Sequence, residues 1–363
     1  MLNVFNNSKV LVTGHTGFKG SWLSVWLSQL GANIIGLSDR VPTEPAHYKL
    51  IKSIFVNDLR IDIQDPKSVF DAINDIKPDF IFHLAAQPIV MESYQNPLNT
   101  FTTNTIGTAN ILDALRRVNH HCTAVMITSD KCYDNVEWTY GYREIDRLGG
   151  KDPYSGSKGA AELIIKSYVE SFFKKPESNI RVGIGRAGNV IGGGDWAPYR
   201  IVPDCVRAWL KKEKAEIRNP FATRPWQHVL EPLSGYVSLA DTLSQNADLN
   251  GGAFNFGPPA HQNHTVEELV NEIVAHWLGA GWVDKSAGNN APHEAGLLKL
   301  NCDKALHTLD WQATLNFKET AQWTAEWYLT YYEKGAEAAS DITAKQIKEY
   351  MVLAKHRESF KLG

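Results

Sequence analysis

Cysteine is scarce and scattered in this chain. Its 363 residues include four, Cys122, Cys132, Cys205 and Cys302, and none forms a Cys-x-x-Cys pair. Neither a disulfide framework nor a zinc or other metal site is expected, and buried free thiols are the reading. An excess of one charge is also missing. Lysine and arginine total 37 against 40 aspartates and glutamates, a formal net charge of -3. That balance offers no field for nucleic acid or an anionic membrane and points to small-molecule partners, with room for a local basic patch facing a phosphorylated ligand. No stretch reaches the roughly 18 apolar residues of a membrane helix, and the opening MLNVFNNSKVLVTG has no charged region ahead of an apolar core. A soluble cytoplasmic protein is expected. There is no internal repeat.

What is present is a globular composition, 43% hydrophobic, in a chain long enough for one large and one small lobe. Apolar runs bounded by turns recur at Val10-Leu11-Val12, Ile34 to Leu37, Ile54-Phe55-Val56, Phe80-Ile81-Phe82, Ala124 to Ile127 and Ile180 to Ile184. They read as buried parallel strands. Helical patterns beginning near Lys19, Pro66, Thr100 and Ser157 alternate with them, predicting an α/β fold, a Rossmann-type doubly wound parallel sheet. After Ile191-Gly192-Gly193-Gly194 helical segments dominate, around Pro203 to Lys212, Glu231 to Asn246, Thr265 to Leu278 and Asn316 to Tyr332. The expected organisation is a dinucleotide-binding domain over 1–190 that also receives about 226–240, a smaller mixed α/β substrate lobe over 191–335, and a polar helix or tail over 336–363. Phe254-Asn255-Phe256 should add a short strand. From Lys334 onward Ile342, Ile347, Met351 and Leu353 are the few apolar anchors of a helix expected on the surface, and Ser359 to Gly363 read as a disordered end or a cloning scar.

Gly14-His15-Thr16-Gly17-Phe18-Lys19-Gly20 joins a strand ending in Thr13 to a helix, the context that makes a glycine pattern a dinucleotide fingerprint. Gly14 permits the tight turn, Gly17 lets backbone approach a pyrophosphate, and Gly20 allows close helix–strand packing, with the helix N-terminus facing the negative charge. Thr16 and Phe18 complete the cradle. Asp39, after the second strand, is placed to hold the ribose hydroxyls of NAD, whereas its neighbour Arg40 would suit the extra phosphate of NADP. NAD is the favoured cofactor. Asp62-Ile63 either flanks the adenine or forms a solvated turn. Leu84, Ala85 and Ala86 close the fourth strand with little bulk near the nicotinamide ribose, and Asn104, an amide inside an apolar helix, reads as a support.

Tyr154 and Lys158, spaced i to i+4, share one face of a helix that starts after Pro153. A nearby ammonium and a bound nicotinamide cation both favour phenolate, so Tyr154 can take a hydroxyl proton. An exposed amphipathic helix start would account for Lys158 alone, but not for Ser129-Asp130-Lys131 at the neighbouring strand end.

In order, TGHTGFKG, HLAAQ, TSDK, YSGSK and RAGNVIGGGDWA resemble the extended short-chain dehydrogenase family of nucleotide-sugar enzymes over roughly residues 8–330. Asp130-Lys131 resembles the sugar-nucleotide 4,6-dehydratases, and with AGNVIGGGDWA and RPWQHVLEPL the branch that acts on CDP-glucose. The resemblance implies a redox-neutral dehydration of CDP-glucose to CDP-4-keto-6-deoxyglucose, an early step towards deoxysugars of bacterial surface polysaccharide, with NAD as an internal hydride carrier. It places Thr128, Tyr154 and Lys158 at the cofactor. Tyr154 would take the carbon-4 hydroxyl proton, with Ser129 bonded to the same oxygen. Lys131 would remove the carbon-5 proton or clamp the enolate oxygen, and Asp130 would donate to the leaving carbon-6 hydroxyl. These roles ask for a carboxyl raised and an amine lowered by their surroundings.

The resemblance also assigns Asn189 to the sugar-nucleotide diphosphate. Arg200 and Arg224 could supply charge to it or act as surface ion-pair partners, and His228 lies in the same string as Arg224. Trp226 is left unassigned. One departure is Met91-Glu92, where dTDP-glucose enzymes carry a basic residue; an acid there would repel phosphates, so the loop should point away or differ in shape. Apolar residues on the helix from Thr100 to Arg117 (Ile106, Ile111, Leu112, Leu115) and on that from Ser157 to Phe173 (Leu163, Ile164, Tyr168, Phe172) would, by resemblance, form an intersubunit bundle in a homodimer or dimer of dimers. A nucleotide-sugar 4-epimerase shares everything except the need for Asp130-Lys131, and a silent NAD-sensing protein would not need Ser129, Tyr154 and Lys158 intact.

Overall fold

The computed structural model describes residues 3–286 and 297–359. Of the expected disordered end, residues 360–363 lie outside the described residues. The apolar runs form strands β1 (Lys9–Thr13), β2 (Asn33–Leu37), β3 (Phe55–Leu59), β4 (Phe80–His83), β5 (Cys122–Ile127) and β6 (Ile180–Arg186), and β7 (Ala253–Asn255) adds a seventh. They make one sheet in the order β7-β6-β5-β4-β1-β2-β3, and all six neighbouring pairs are parallel. The direction of growth reverses between β1 and β4, which opens a crevice at their carboxyl ends. Thr13 lies level with Leu37 on one side and His83 on the other, so the loops that follow these three strands start side by side.

Two apolar layers hold the sheet. Helices α1 (Phe18–Gln29), α2 (Pro66–Ile76), α3 (Gly107–Leu115), α4 (Pro153–Tyr168), α5 (Leu230–Gln245), α6 (Phe317–Lys334) and α7 (Ala336–Ser359) supply both. Leu11, Ile81 and Met126 pack on one face with Val69, Ile73, Ile111, Leu112 and Ile165 of α2 to α4. Val10, Val12 and Val125 pack on the other with Trp22, Leu23, Leu233, Val237 and Trp327. The alternation of Val10, Leu11 and Val12 between layers is the two-residue period of a strand covered on both faces. Helices α2 and α4 start the same way, with an aspartate whose side chain accepts backbone N–H groups of the first turn, followed by proline: Asp65 accepts from Lys67 at 3.0 Å and Asp152 from Ser155 at 3.0 Å.

Three expectations need correction. Strand β3 is the sheet edge, and Val56 is 64% exposed rather than buried. In α3 the residues Ile111, Leu112 and Leu115 are buried against the sheet, so they are unavailable to a partner subunit; the outward apolar side chains are Leu98, Phe101 and Ile106 on the preceding turns and Leu163 and Phe172 beyond α4's inner face. The third concerns α7, which is core rather than surface. Ala339, Ile342, Thr343, Gln346, Ile347 and Tyr350 are all buried at helical spacing. Half of that stripe is polar, so hydropathy conceals it, and hydrogen bonds make the burial affordable. Tyr350 donates to Glu231 Oε2 at 2.7 Å, while the same carboxylate accepts from the Thr314 and Leu315 backbone at 2.9 and 2.6 Å.

Beyond Gly194 lie helix Ile201–Leu210 and short strand pairs, Thr223–Arg224 with His264–Thr265 and Ala215–Ile217 with Trp282–Asp284. Helix α5 returns to the sheet, where Leu233, Tyr236, Val237 and Leu239 are fully buried. Among the described residues no helix is long and apolar enough to cross a membrane. The Glu231 junction gives the first prediction. Glu231→Ala takes the acceptor from three donors, two of them backbone N–H groups, and should lower the unfolding free energy by about 3 kcal/mol, whereas Tyr350→Phe removes the hydroxyl's bonds to Glu231 and Ser234 and should cost about 1–2 kcal/mol; urea titration of both variants measures the difference.

Candidate active site

At the mouth of the crevice, backbone meets backbone. Gly14 has φ +74°, and a Cβ there would lie 2.7 Å from the Ala85 nitrogen; a Cβ on Gly20 would lie 2.2 Å from the Gly14 carbonyl oxygen. No side chain can replace either glycine without moving the loop after β1, the loop after β4 or the start of α1. Gly17, the N-cap of α1, carries no side-chain cap, so the first-turn N–H groups stay directed at the crevice. This bare cradle fits a dinucleotide pyrophosphate. Its far wall is Leu84 and Ala85, whose N–H groups bond the Thr13 carbonyl at 3.1 Å and the Thr13 hydroxyl at 3.2 Å. Ala86 follows. Asn104 sits in a π-type turn, Thr102–Ile106, and ties the wall to α4: it accepts from the Gln87 N–H at 2.8 Å and donates to the Ser157 hydroxyl at 2.9 Å.

The expected adenosine end lies beyond the close of β2. Asp39 and Arg40 are 49% and 77% exposed and face each other across 3.7 Å; only the Arg40 carbonyl reaches the glycine loop, accepting from the Thr16 hydroxyl at 2.7 Å. The buried residue is Ser38, bonded to His15 Nδ1 at 3.0 Å, and His15 Nε2 bonds Asp58 at 2.9 Å. Arg60 completes the cluster with an ion pair to Asp58 at 2.9 Å. Burial holds the His15 imidazole below its ordinary pKa, against the pull of Asp58. Asp62 turns its carboxylate to the Gln64 N–H at 2.9 Å, and Ile63 is buried against Gly107.

Ser129, Asp130 and Tyr154 converge at the carboxyl end of β5. The Ser129 hydroxyl donates to Asp130 Oδ1 at 2.8 Å and accepts the Lys131 N–H at 3.3 Å, which starts the turn Asp130–Cys132. Asp130 lies flat on Gly188, where a Cβ would come within 1.9 Å of Oδ2, and Asn189 Nδ2 donates to that oxygen at 3.4 Å. The Lys131 side chain is half-buried and makes no hydrogen bond or ion pair among the described residues. Burial pushes the Tyr154 phenol up to about 12, partly offset by its hydrogen bond with Ser129 and by the Arg200 guanidinium. Burial brings Lys158 down to about 8. At neutral pH the cofactor-free site therefore holds a phenol beside an ammonium, and a further positive charge is needed to reach phenolate.

Sequence reasoning missed what stands behind this strip. Glu162 and Arg186 are buried in a bidentate pair, 2.8 Å at each oxygen. Glu162 also accepts from Thr128 at 2.5 Å, and Arg186 donates to the Tyr133 hydroxyl at 2.7 Å. Tyr154, Lys158 and Glu162 follow at intervals of four, a spacing that was there to be read as one helix face. Lys19 was also passed over. It faces the crevice in the field of Asp130, Lys158, Asp195 and Arg200, and burial brings it down to about 8.

Of the expected substrate contacts, Arg200 faces the same crevice, its guanidinium paired with Asp195 at 2.7 Å. Asn189 is held at φ +53°. Arg224 is buried with Nη1 on the Thr223 carbonyl at 2.8 Å. His228 is not brought to the crevice: its ring is fully buried between Trp22 and Trp323, each 5.8 Å away, and burial drops it to about 3. Glu92 spends its carboxylate on Asn96, at 2.5 Å in its own helix.

Residues 11–324 match the GDP-mannose 4,6 dehydratase family. The chain belongs to that family. It is 42% identical over 358 residues to the CDP-glucose 4,6-dehydratase of Salmonella typhimurium, covering 96% of this chain and 98% of the relative. It is 26% identical to the CDP-paratose 2-epimerase of Salmonella typhi, covering 88% and 98%. A solved dTDP-glucose 4,6-dehydratase from Bacillus anthracis, in complex with NAD, superposes with TM-score 0.73 at 22% identity, covering 91% and 99%, and shares the fold.

The buried pair behind the strip yields a second prediction. Arg186→Met leaves Glu162 as an uncompensated buried charge and should cost about 3–5 kcal/mol, most of it recovered in Arg186→Met/Glu162→Leu. A double-mutant cycle by chemical denaturation measures this.

Proposed function

We propose that this protein is an NAD-dependent sugar-nucleotide 4,6-dehydratase whose substrate is CDP-glucose. NAD, when bound, would supply a reversible hydride carrier between carbon 4 and carbon 6 of the sugar. Gly14, Gly17 and the first turn of α1 would hold its pyrophosphate, and Lys158 and Tyr154 would serve its nicotinamide end. Tyr154 holds the proton of the carbon-4 hydroxyl, and Ser129 orients that oxygen. Lys131 acts at the carbon-5 proton, made acidic by the carbon-4 ketone. Asp130 delivers a proton to the carbon-6 hydroxyl, which leaves as water. Arg200 and Asn189 face the diphosphate, with Arg224 beside them.

One observation carries this reading: a buried carboxyl, Asp130, held by the Ser129 hydroxyl at 2.8 Å, stands close enough to Tyr154 to act on the phenol electrostatically. A 4-epimerase needs the tyrosine and has no use for an acid beside it. The 42% identity over nearly the full length supports CDP-glucose as the substrate.

Incubation with NAD and, separately, CDP-, dTDP-, UDP- and GDP-glucose tests the reading. The alkali-induced absorbance of a 4-keto-6-deoxy sugar should develop with CDP-glucose, and Lys131→Ala should lose that product while the 340 nm absorbance of reduced cofactor still appears. A carbon-4 epimer formed without keto product would overturn the assignment.

A further inference from the structure

Oxidation at carbon 4 and elimination across carbons 5 and 6 fall to residues on two different pieces of chain, and one buried ion pair holds those pieces together. This inference rests on the roles given above to Tyr154, Asp130 and Lys131. Tyr154 and Lys158 are on α4. Asp130 and Lys131 are on the strip from Thr128 to Tyr133 that leaves β5, in the single turn Asp130–Cys132. Hydride and proton leave neighbouring atoms of one sugar, so the strip must keep a fixed distance from α4.

The Glu162–Arg186 pair grips both ends of the strip. At its start Glu162, one turn beyond Lys158 on α4, accepts from the Thr128 hydroxyl at 2.5 Å. At its end Arg186 donates from Nη1 to the Tyr133 hydroxyl at 2.7 Å, with the guanidinium carbon 4.9 Å from the centre of the Tyr133 ring. The two ends differ in what else supports them. The Thr128 N–H continues the sheet, bonded to the Gly185 carbonyl at 3.0 Å. Beyond Lys131 the backbone bonds a loop instead: the Gly149 N–H donates to the Cys132 carbonyl and the Asp134 N–H to the Arg147 carbonyl, each at 2.9 Å. Among the described residues, that end reaches the sheet through the Tyr133 hydroxyl, which also donates to Asn255 Oδ1 at 2.8 Å. Arg186 closes β6, Asn255 closes β7, and the two are register partners. All three side chains are buried, so the phenol is bonded on both sides by fixed strand ends.

We infer that Tyr133 is a positioning residue for elimination: through its hydroxyl it fixes Asp130 and Lys131 against the α4 face that carries Tyr154. Without that hydroxyl the Lys131 end of the strip loosens, while α4 and the Thr128 end keep their own bonds. Elimination then slows and oxidation at carbon 4 continues.

Tyr133→Phe tests this, because it keeps the ring stacked on Tyr142, 5.1 Å between centres, and removes the hydroxyl alone. In single turnovers with NAD and CDP-glucose, the absorbance of reduced cofactor should develop within about 3-fold of the wild-type rate, while the 4-keto-6-deoxy product forms about 100-fold more slowly. In the cofactor-free protein, amide hydrogen exchange should quicken about 10-fold over 130–134 and stay unchanged over 154–168. Wild-type turnover, equal slowing of the two steps, or exchange quickened alike in both segments would overturn the inference. Arg186→Met/Glu162→Leu releases both ends with most of its stability recovered, and should lose product further than cofactor reduction if Tyr133→Phe does not fold. Lys131→Ala separates the two levels. Full product formation in that variant refutes the roles assigned to the site, whereas its loss together with wild-type turnover of Tyr133→Phe refutes the part given to Tyr133 alone.

Discussion

Everything in this crevice depends on how closely backbones approach one another at the carboxyl ends of β1 and β4. Gly14 touches the Leu84–Ala85 backbone on one side and the start of α1, through Gly20, on the other. Because three backbones meet without intervening side chains, the glycine cradle and the Leu84–Ala85 wall are set by sheet register, through Thr13. The same economy recurs at Gly188, where the absence of a Cβ lets the Asp130 carboxyl lie flat on the chain. Close approach at two points thus fixes both the glycine cradle and the Asp130 carboxyl relative to the carboxyl ends of the strands.

Such a site must be held rigid from behind. The Glu162–Arg186 pair, reaching Thr128 and Tyr133, does this with groups that are expensive to bury singly and tolerable together. Its position one turn beyond Lys158 means that a single helix face, that of α4, carries Tyr154, Lys158 and the anchor of the strand end opposite. Burial sets the resting charge state, a phenol near 12 and an ammonium near 8. A positive charge brought against this phenol would favour phenolate.

Much of this was legible in the residues. Apolar runs marked six strands, and the glycine loop and the Tyr154–Lys158 spacing placed the crevice, because these features depend on local pattern. What escaped depends on tertiary context. The buried stripe of α7 was hidden by Thr343, Gln346 and Tyr350, polar residues whose partners come from elsewhere in the chain. The buried cluster of Ser38, His15 and Asp58 beside Asp39 escaped because its members come from three separate segments of the chain. His228 shared a string with Arg224, but its ring lies in the core between Trp22 and Trp323, which come from distant helices. Whether β3 was an edge could not be read from Val56, since a hydrophobic residue says nothing about what lies beside it.

The central claim is that hydrogen stored on the cofactor returns to the same sugar. The most direct measurement uses CDP-glucose carrying deuterium at carbon 4, with the product examined by NMR. Deuterium at carbon 6, accompanied in heavy water by solvent-derived label at carbon 5, is the result this account predicts. Loss of the label from the sugar, or its retention at carbon 4, would contradict it.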